Sequence, residues 1–101
     1  MYVILIDYTS GLDKIDSALD AHKAWLDENY SAGRFLASGR RKPRTGGVIL
    51  AADGPRDEIE DAVAHDPFAV QGLAEHTIVE FHPSRFGSES FAEHFSSSSS
   101  S

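Results

Sequence analysis

The chain has 101 residues, 41% of them hydrophobic, and its 16 acidic against nine basic side chains give a formal charge of −7. That length supports one core and one compact domain, while the acidic balance weighs against a nucleic-acid binder, which needs a concentrated positive surface, and against anionic membranes. Cysteine is absent, which excludes disulfides, thiol catalysis and thiolate metal sites.

The opening MYVILIDYTS breaks at Asp7, after an apolar run too short for a signal-peptide core or a bilayer span. A soluble cytoplasmic protein is the expectation. Residues 1–8 predict a strand with Tyr2, Ile4 and Ile6 on one side and Val3 and Leu5 on the other, the pattern of a central strand covered on both faces. After the turn Thr9-Ser10-Gly11, residues 12–30 predict one amphipathic helix. Leu12, Ile15, Leu19, His22 and Leu26 recur at spacings of three and four, with Ala18 and Trp25 widening the stripe. Asp13, Lys14, Asp16, Asp20, Lys23, Asp27 and Glu28 fall mostly on the outer side. Gly33 suits a left-handed C-cap.

Residues 34–39 (RFLASG) and 48–52 (VILAA) predict a hairpin whose tip, residues 40–47, is rich in Pro, Gly and basic groups. Asp53-Gly54-Pro55 starts a second helix, with Pro55 in its first turn and Ile59, Ala62 and Val63 inward. At His65-Asp66-Pro67-Phe68 the helix breaks and restarts, Asp66 as N-cap and Pro67 at the first position, for one turn ending at Gly72. Residues 75–82 predict the last strand, with Thr77, Val79 and Phe81 on one face and His76, Ile78, Glu80 and His82 on the other; Pro83 stops it. Residues 1–83 thus form the predicted domain. Residues 84–101, ending in six serines, read as a loosely attached, flexible tail, although Phe86, Phe91 and Phe95 give it three aromatics.

The order βαββαβ is the split βαβ plan of ferredoxin-like α+β domains, a four-stranded antiparallel sheet in which strands one and three are central. Helices cover one face only. Because strand one is apolar on both sides, a second copy packing sheet to sheet is predicted, making the protein a homodimer through its open face.

His22 is the odd member of the helix stripe. An inward imidazole needs partners, since an unpaired buried polar group costs about 1–3 kcal/mol. It reads either as a structural histidine bonded to a carbonyl or as a general base, and Asp66 reads either as an N-cap or as its carboxylate partner; a carboxylate in reach would fix the imidazole tautomer and raise its basicity. Arg40, Arg41, Lys42 and Arg44, with Arg34 nearby, are either a solvated hairpin tip or a device that steers an anionic or phenolate substrate. Ser38 and Gly39 end the second strand, where a hydroxyl can meet a ligand, and Arg44-Thr45-Gly46-Gly47 can present backbone N–H groups. His65, beside Asp66, is an accessory candidate. His76 and His82 share a parity with Glu80, but on an extended strand the end residues lie about 20 Å apart, so no metal site is expected there. His94 reads as solvated.

Three segments, AHKAWLDENYSAGRFLASG, PRTGGVILA and HDPFAVQGLAEHTIVEF, together resemble a YCII-related (YciI-like) domain of the dimeric α+β barrel superfamily, over about residues 1–83. The resemblance implies a ferredoxin-like sheet that dimerises through its open face. It also implies a His/Asp dyad, carried onto His22 of AHKAWL and Asp66 of HDPF, with Ser38 and Gly39 of ASG near the pocket. Relatives are linked to dehydrochlorination of chlorinated hydroxyhydroquinones, and many have no assigned activity. The basic run RRKPR after ASG departs from the common family form and bears on the substrate.

The combined expectation is a cofactor-independent lyase, dehydrochlorinase or isomerase-like enzyme acting on a small hydroxylated or enolisable ring. His22 would be base and acid, Asp66 its orienting partner, and Ser38, Gly39 and Arg44 the substrate contacts. The alternative is a non-catalytic homodimer that binds a small molecule or serves as an accessory protein. Nucleic-acid binding through the basic tip is disfavoured by four cations on an acidic chain.

Overall fold

The computed structural model describes residues 1–89. Phe91, His94, Phe95 and the serine run therefore lie outside the described residues. Strand β1 (Tyr2–Tyr8) is followed by helices α1 (Leu12–Ser17) and α2 (Leu19–Ser31), the hairpin β2 (Phe35–Arg40) and β3 (Gly46–Ala51), helices α3 (Arg56–Ala64) and α4 (Pro67–Val70), and strand β4 (Ala74–Glu80). The sheet is antiparallel in the order β2-β3-β1-β4. This is the ferredoxin-like α+β arrangement, with β1 and β3 central as expected.

The alternation of β1 sorts its side chains between two environments. Tyr2, Ile4 and Ile6 are buried beneath the helices with Ile15, Trp25, Ile49, Ile59, Val63 and Phe68, and Val3 and Leu5 on the opposite face are half-buried. Trp25 also fastens α2 to α3, because its indole N–H donates to the Ala62 carbonyl at 3.0 Å and so satisfies the one polar group of a buried ring.

The predicted single helix over residues 12–30 is two helices. At Ala18 the backbone leaves helical geometry (φ −100°, ψ 1°). Its N–H reaches both the Lys14 and Ile15 carbonyls, at 3.3 and 3.1 Å, and the Ser17 hydroxyl bonds back to the Lys14 carbonyl at 2.7 Å, a local competitor of the helix ladder. The inward stripe is kept only in part. Leu12, expected inside, is 42% exposed, while Ile15 and His22 stay buried. Gly33 takes the left-handed conformation just past α2 (φ 76°) and Gly72 does so after α4 (φ 68°), conformations that cost glycine nothing.

Candidate active site

Cross-strand partners in a sheet point to the same side, so the register decides what shares a floor. One rung runs Ile78, Ile4, Ile49, Ser38, and the next runs His76, Ile6, Gly47, Arg40. Ile4, Ile6 and Ile49 are buried on the helix side, so His76 stands at the β4 edge of that side and Ser38 and Arg40 at the β2 edge. Above this floor α2 presents Leu19, His22, Lys23 and Leu26, the i, i+3, i+4, i+7 set of one helix face.

His22 finds its partner in Asp66. Its Nδ1 lies 2.7 Å from Asp66 Oδ1. The other carboxylate oxygen, Oδ2, lies 2.7 Å from Nε2 of His76. Asp66 is fully buried, and its Oδ1 also accepts the Phe68 backbone N–H at 3.0 Å. The N-cap and the imidazole partner are thus one carboxylate serving both ends, not rival readings. Acting as an ionised acceptor, it takes an N–H from each ring, which leaves Nε2 as the basic nitrogen of a neutral His22. Burial alone would raise the Asp66 carboxyl, but the hydrogen bonds from His22 and His76, the attraction of His22 and the Phe68 N–H hold it below the usual carboxylate range.

Short-range packing fixes the ring. His22 stacks on Phe68 with centroids 4.1 Å apart and planes 8° from parallel, and Trp25 tilts against it at 5.4 Å. Helix α4 is only four residues long, yet it supplies the carboxylate at its cap and, two residues on, the ring that His22 lies against.

The His22 ring lines a cavity of about 390 Å³ between α2 and the sheet, together with Ile6, Tyr8, Phe68 and the residues named above at the β2 edge. Of the predicted contacts, Ser38, Gly39 and Arg44 all line it. Ser38 is hydrogen-bonded to the Tyr30 hydroxyl, and Arg44 is ion-paired with Asp16. Arg40 of the basic cluster lines it too, but Arg41 and Arg34 turn elsewhere. Arg41 pairs with Asp7, and Arg34 donates to Asn29 at 2.9 Å, away from the cavity. His65 is not an accessory group: its side chain is 70% exposed, and its Nδ1 meets the Asp61 carbonyl at 2.8 Å, at the end of α3.

Two residues escaped the sequence reading. Lys23, placed there on the outer face, lines the cavity. In sequence His76 reads only as a metal candidate; its shared parity with Ile78 is the signal that it faces the helices. Among the described residues no cluster of three or more His, Asp or Glu side chains is arranged to hold a metal ion, and no helix is long and apolar enough to cross a membrane.

The YCII-related domain model matches residues 1–82. No curated protein matches the chain by sequence. Among solved structures, the fold is similar to that of a 5-chloro-2-hydroxyhydroquinone dehydrochlorinase from Burkholderia phenoliruptrix in complex with 2,5-dihydroxybenzoquinone, with a TM-score of 0.71 and 20% identity over 82% of this chain and 94% of that one. Matched from its first residue to beyond the end of β4, this chain belongs to the family of YCII-related domains.

Proposed function

We propose that the protein is an enzyme of acid–base chemistry on a small hydroxylated or enolisable ring, working without a cofactor as a lyase, dehydrochlorinase or isomerase. The observation that carries this reading is an imidazole that bonds a fully buried carboxylate through Nδ1 while its ring lines a cavity of about 390 Å³, within the range of small-molecule sites. His22 Nε2 takes a proton from a ring hydroxyl or from the carbon beside a carbonyl. In an isomerisation it returns that proton to another atom, and in an elimination the electrons left behind expel the leaving group. Asp66 fixes the tautomer and stabilises the imidazolium, and His76 shares its charge. Ser38, Gly39 and Arg44 hold the substrate. The likeness in fold to an enzyme that acts on a chlorinated hydroxyhydroquinone supports the substrate class.

The working unit is a homodimer through the open face of the sheet. What supports this is the apolar content of that face: Val3 stands between Leu50 and Val79, and Leu5 between Val48 and Thr77, with Val48 37% and Val79 45% exposed.

The test is turnover of chlorinated hydroxyhydroquinones, read as chloride release, alongside solvent-deuterium exchange into cyclic ketones. Activity is expected in the native protein and a loss of about 10²-fold or more in His22→Ala, the scale of general acid–base catalysis. An undiminished rate in that variant removes His22 from the chemistry, and ligand binding with no turnover would make the protein a binder.

A further inference from the structure

With 16 acids against nine bases, the chain is acidic overall. The cavity is an exception. Its lining includes Lys23, Arg40 and Arg44 and no aspartate or glutamate. Arg44 is held from outside the lining by Asp16 through one terminal nitrogen, yet its Nε is buried with no hydrogen-bond partner. Lys23 and Arg40 are exposed at the rim, and among the described residues no hydrogen bond or ion pair occupies either side-chain cation. The placement follows from backbone geometry. Lys23 is on the inner face of α2 one residue beyond His22, and Arg40 is on the rung of Ile6 and Gly47.

A buried guanidinium N–H without an acceptor costs about as much as a lost hydrogen bond, and cations gathered at an apolar cleft concentrate anions. A neutral ring would leave all of this unanswered. The charge that develops on a ring oxygen as His22 removes a proton answers one cation, Arg44 is paired with Asp16 through one nitrogen, and a second negative group would answer Lys23 and Arg40.

We propose, taking the cavity as the ring site argued above, that the ligand is a hydroxylated or enolisable ring bearing a carboxylate, bound at the rim by Lys23 and Arg40 with Arg44 beside them. Lys23 and Arg40 then set specificity: they choose acids over neutral rings. Because both are exposed, their contribution falls as salt screens them.

The experiment is calorimetric titration of the native protein with 2,5-dihydroxybenzoate, hydroquinone and succinate, at low and high salt. An exposed charge pair is worth up to about fivefold in an equilibrium, so two cations should favour the dihydroxybenzoate over hydroquinone by roughly tenfold at low salt. Added salt should narrow the gap. The double variant Lys23→Ala/Arg40→Ala should bring it to about twofold, with hydroquinone affinity unchanged and the unfolding midpoint retained. Equal binding of the two rings, or a preference that stays near tenfold in the double variant, overturns the carboxylate and leaves the ring reading standing. If succinate binds as tightly as the dihydroxybenzoate, acid recognition stands and the ring reading falls; if no acid binds, the inference falls.

Discussion

Asp66 holds a negative charge at zero solvent exposure between two imidazoles. Burying a carboxylate is tolerated only when hydrogen bonds replace the lost water, and here three donors do so. The same bonds that stabilise the ion depress its proton affinity, so folding is linked to pH through this side chain. A carboxyl held lower in the folded state contributes stability that is fully present above its unfolded value, about 3.9, and is lost as pH falls through the lower folded value. Acid unfolding should therefore steepen below about pH 4, and Asp66→Asn should flatten that part of the profile. At neutral pH the same variant should cost about 3 kcal/mol, because an amide cannot accept from both rings and the peptide N–H. Urea unfolding across pH measures both; an unaltered acid limb in the variant would count against the linkage. The sequence makes Asp66 legible as a cap and leaves its pairing with His22 open, which the family resemblance implies. Its bond to His76 was legible in neither.

At the scale of elements, the floor of the cavity depends on the two glycines with which β3 enters the sheet. An ideal Cβ on Gly46 would sit 1.7 Å from the Ile6 carbonyl oxygen, and one on Gly47 3.1 Å from the Gly39 carbonyl oxygen. Gly46 thus permits β3 to close on β1, and Gly47 keeps the floor bare beside Ile6. A side chain at position 46 must displace backbone, so Gly46→Ala should destabilise by about 3 kcal/mol or more, while Gly54→Ala, where a Cβ meets open space, should stay within about 0.5 kcal/mol. Equal urea midpoints for the two variants would contradict the close approach. In sequence these glycines read as loop, because turn residues cluster there. What it lacked was the partner strand, since a close approach between β1 and β3 leaves no periodic trace in either segment. The break at Ala18 was hidden for a related reason: alanine carries no breaker signal, and the stripe through Leu12, Ile15 and Leu19 continues across it.

At the scale of the molecule, the single chain answers only half of the hydrophobic pattern of β1. Helices cover Tyr2, Ile4 and Ile6; the other face leaves Val48, Val79 and Phe81 between 37% and 45% exposed. Burying such a face against a copy of itself gains about 25 cal/mol for each Å² of apolar surface, and two sheets stack about 10 Å apart without rearrangement. The protein should sediment as a dimer at low micromolar concentration, and Leu5→Glu, which sets a charge at the centre of that face, should shift it to monomer. A native chain that sediments as a folded monomer would remove the homodimer.

Residues near one another in sequence determined this protein's elements: alternation made the strands, a stripe at spacings of three and four put His22 inside, and Asp66-Pro67 began a helix. Those are local rules, legible because each depends on a few consecutive side chains. The tertiary structure decided what meets. Asp66 reaches His22 across 44 positions and His76 across ten, and Lys23 and Arg40 come to one rim from a helix and an edge strand. Such encounters depend on strand register and on how α2 and α4 pack over the sheet, and those are set by the whole core closing at once.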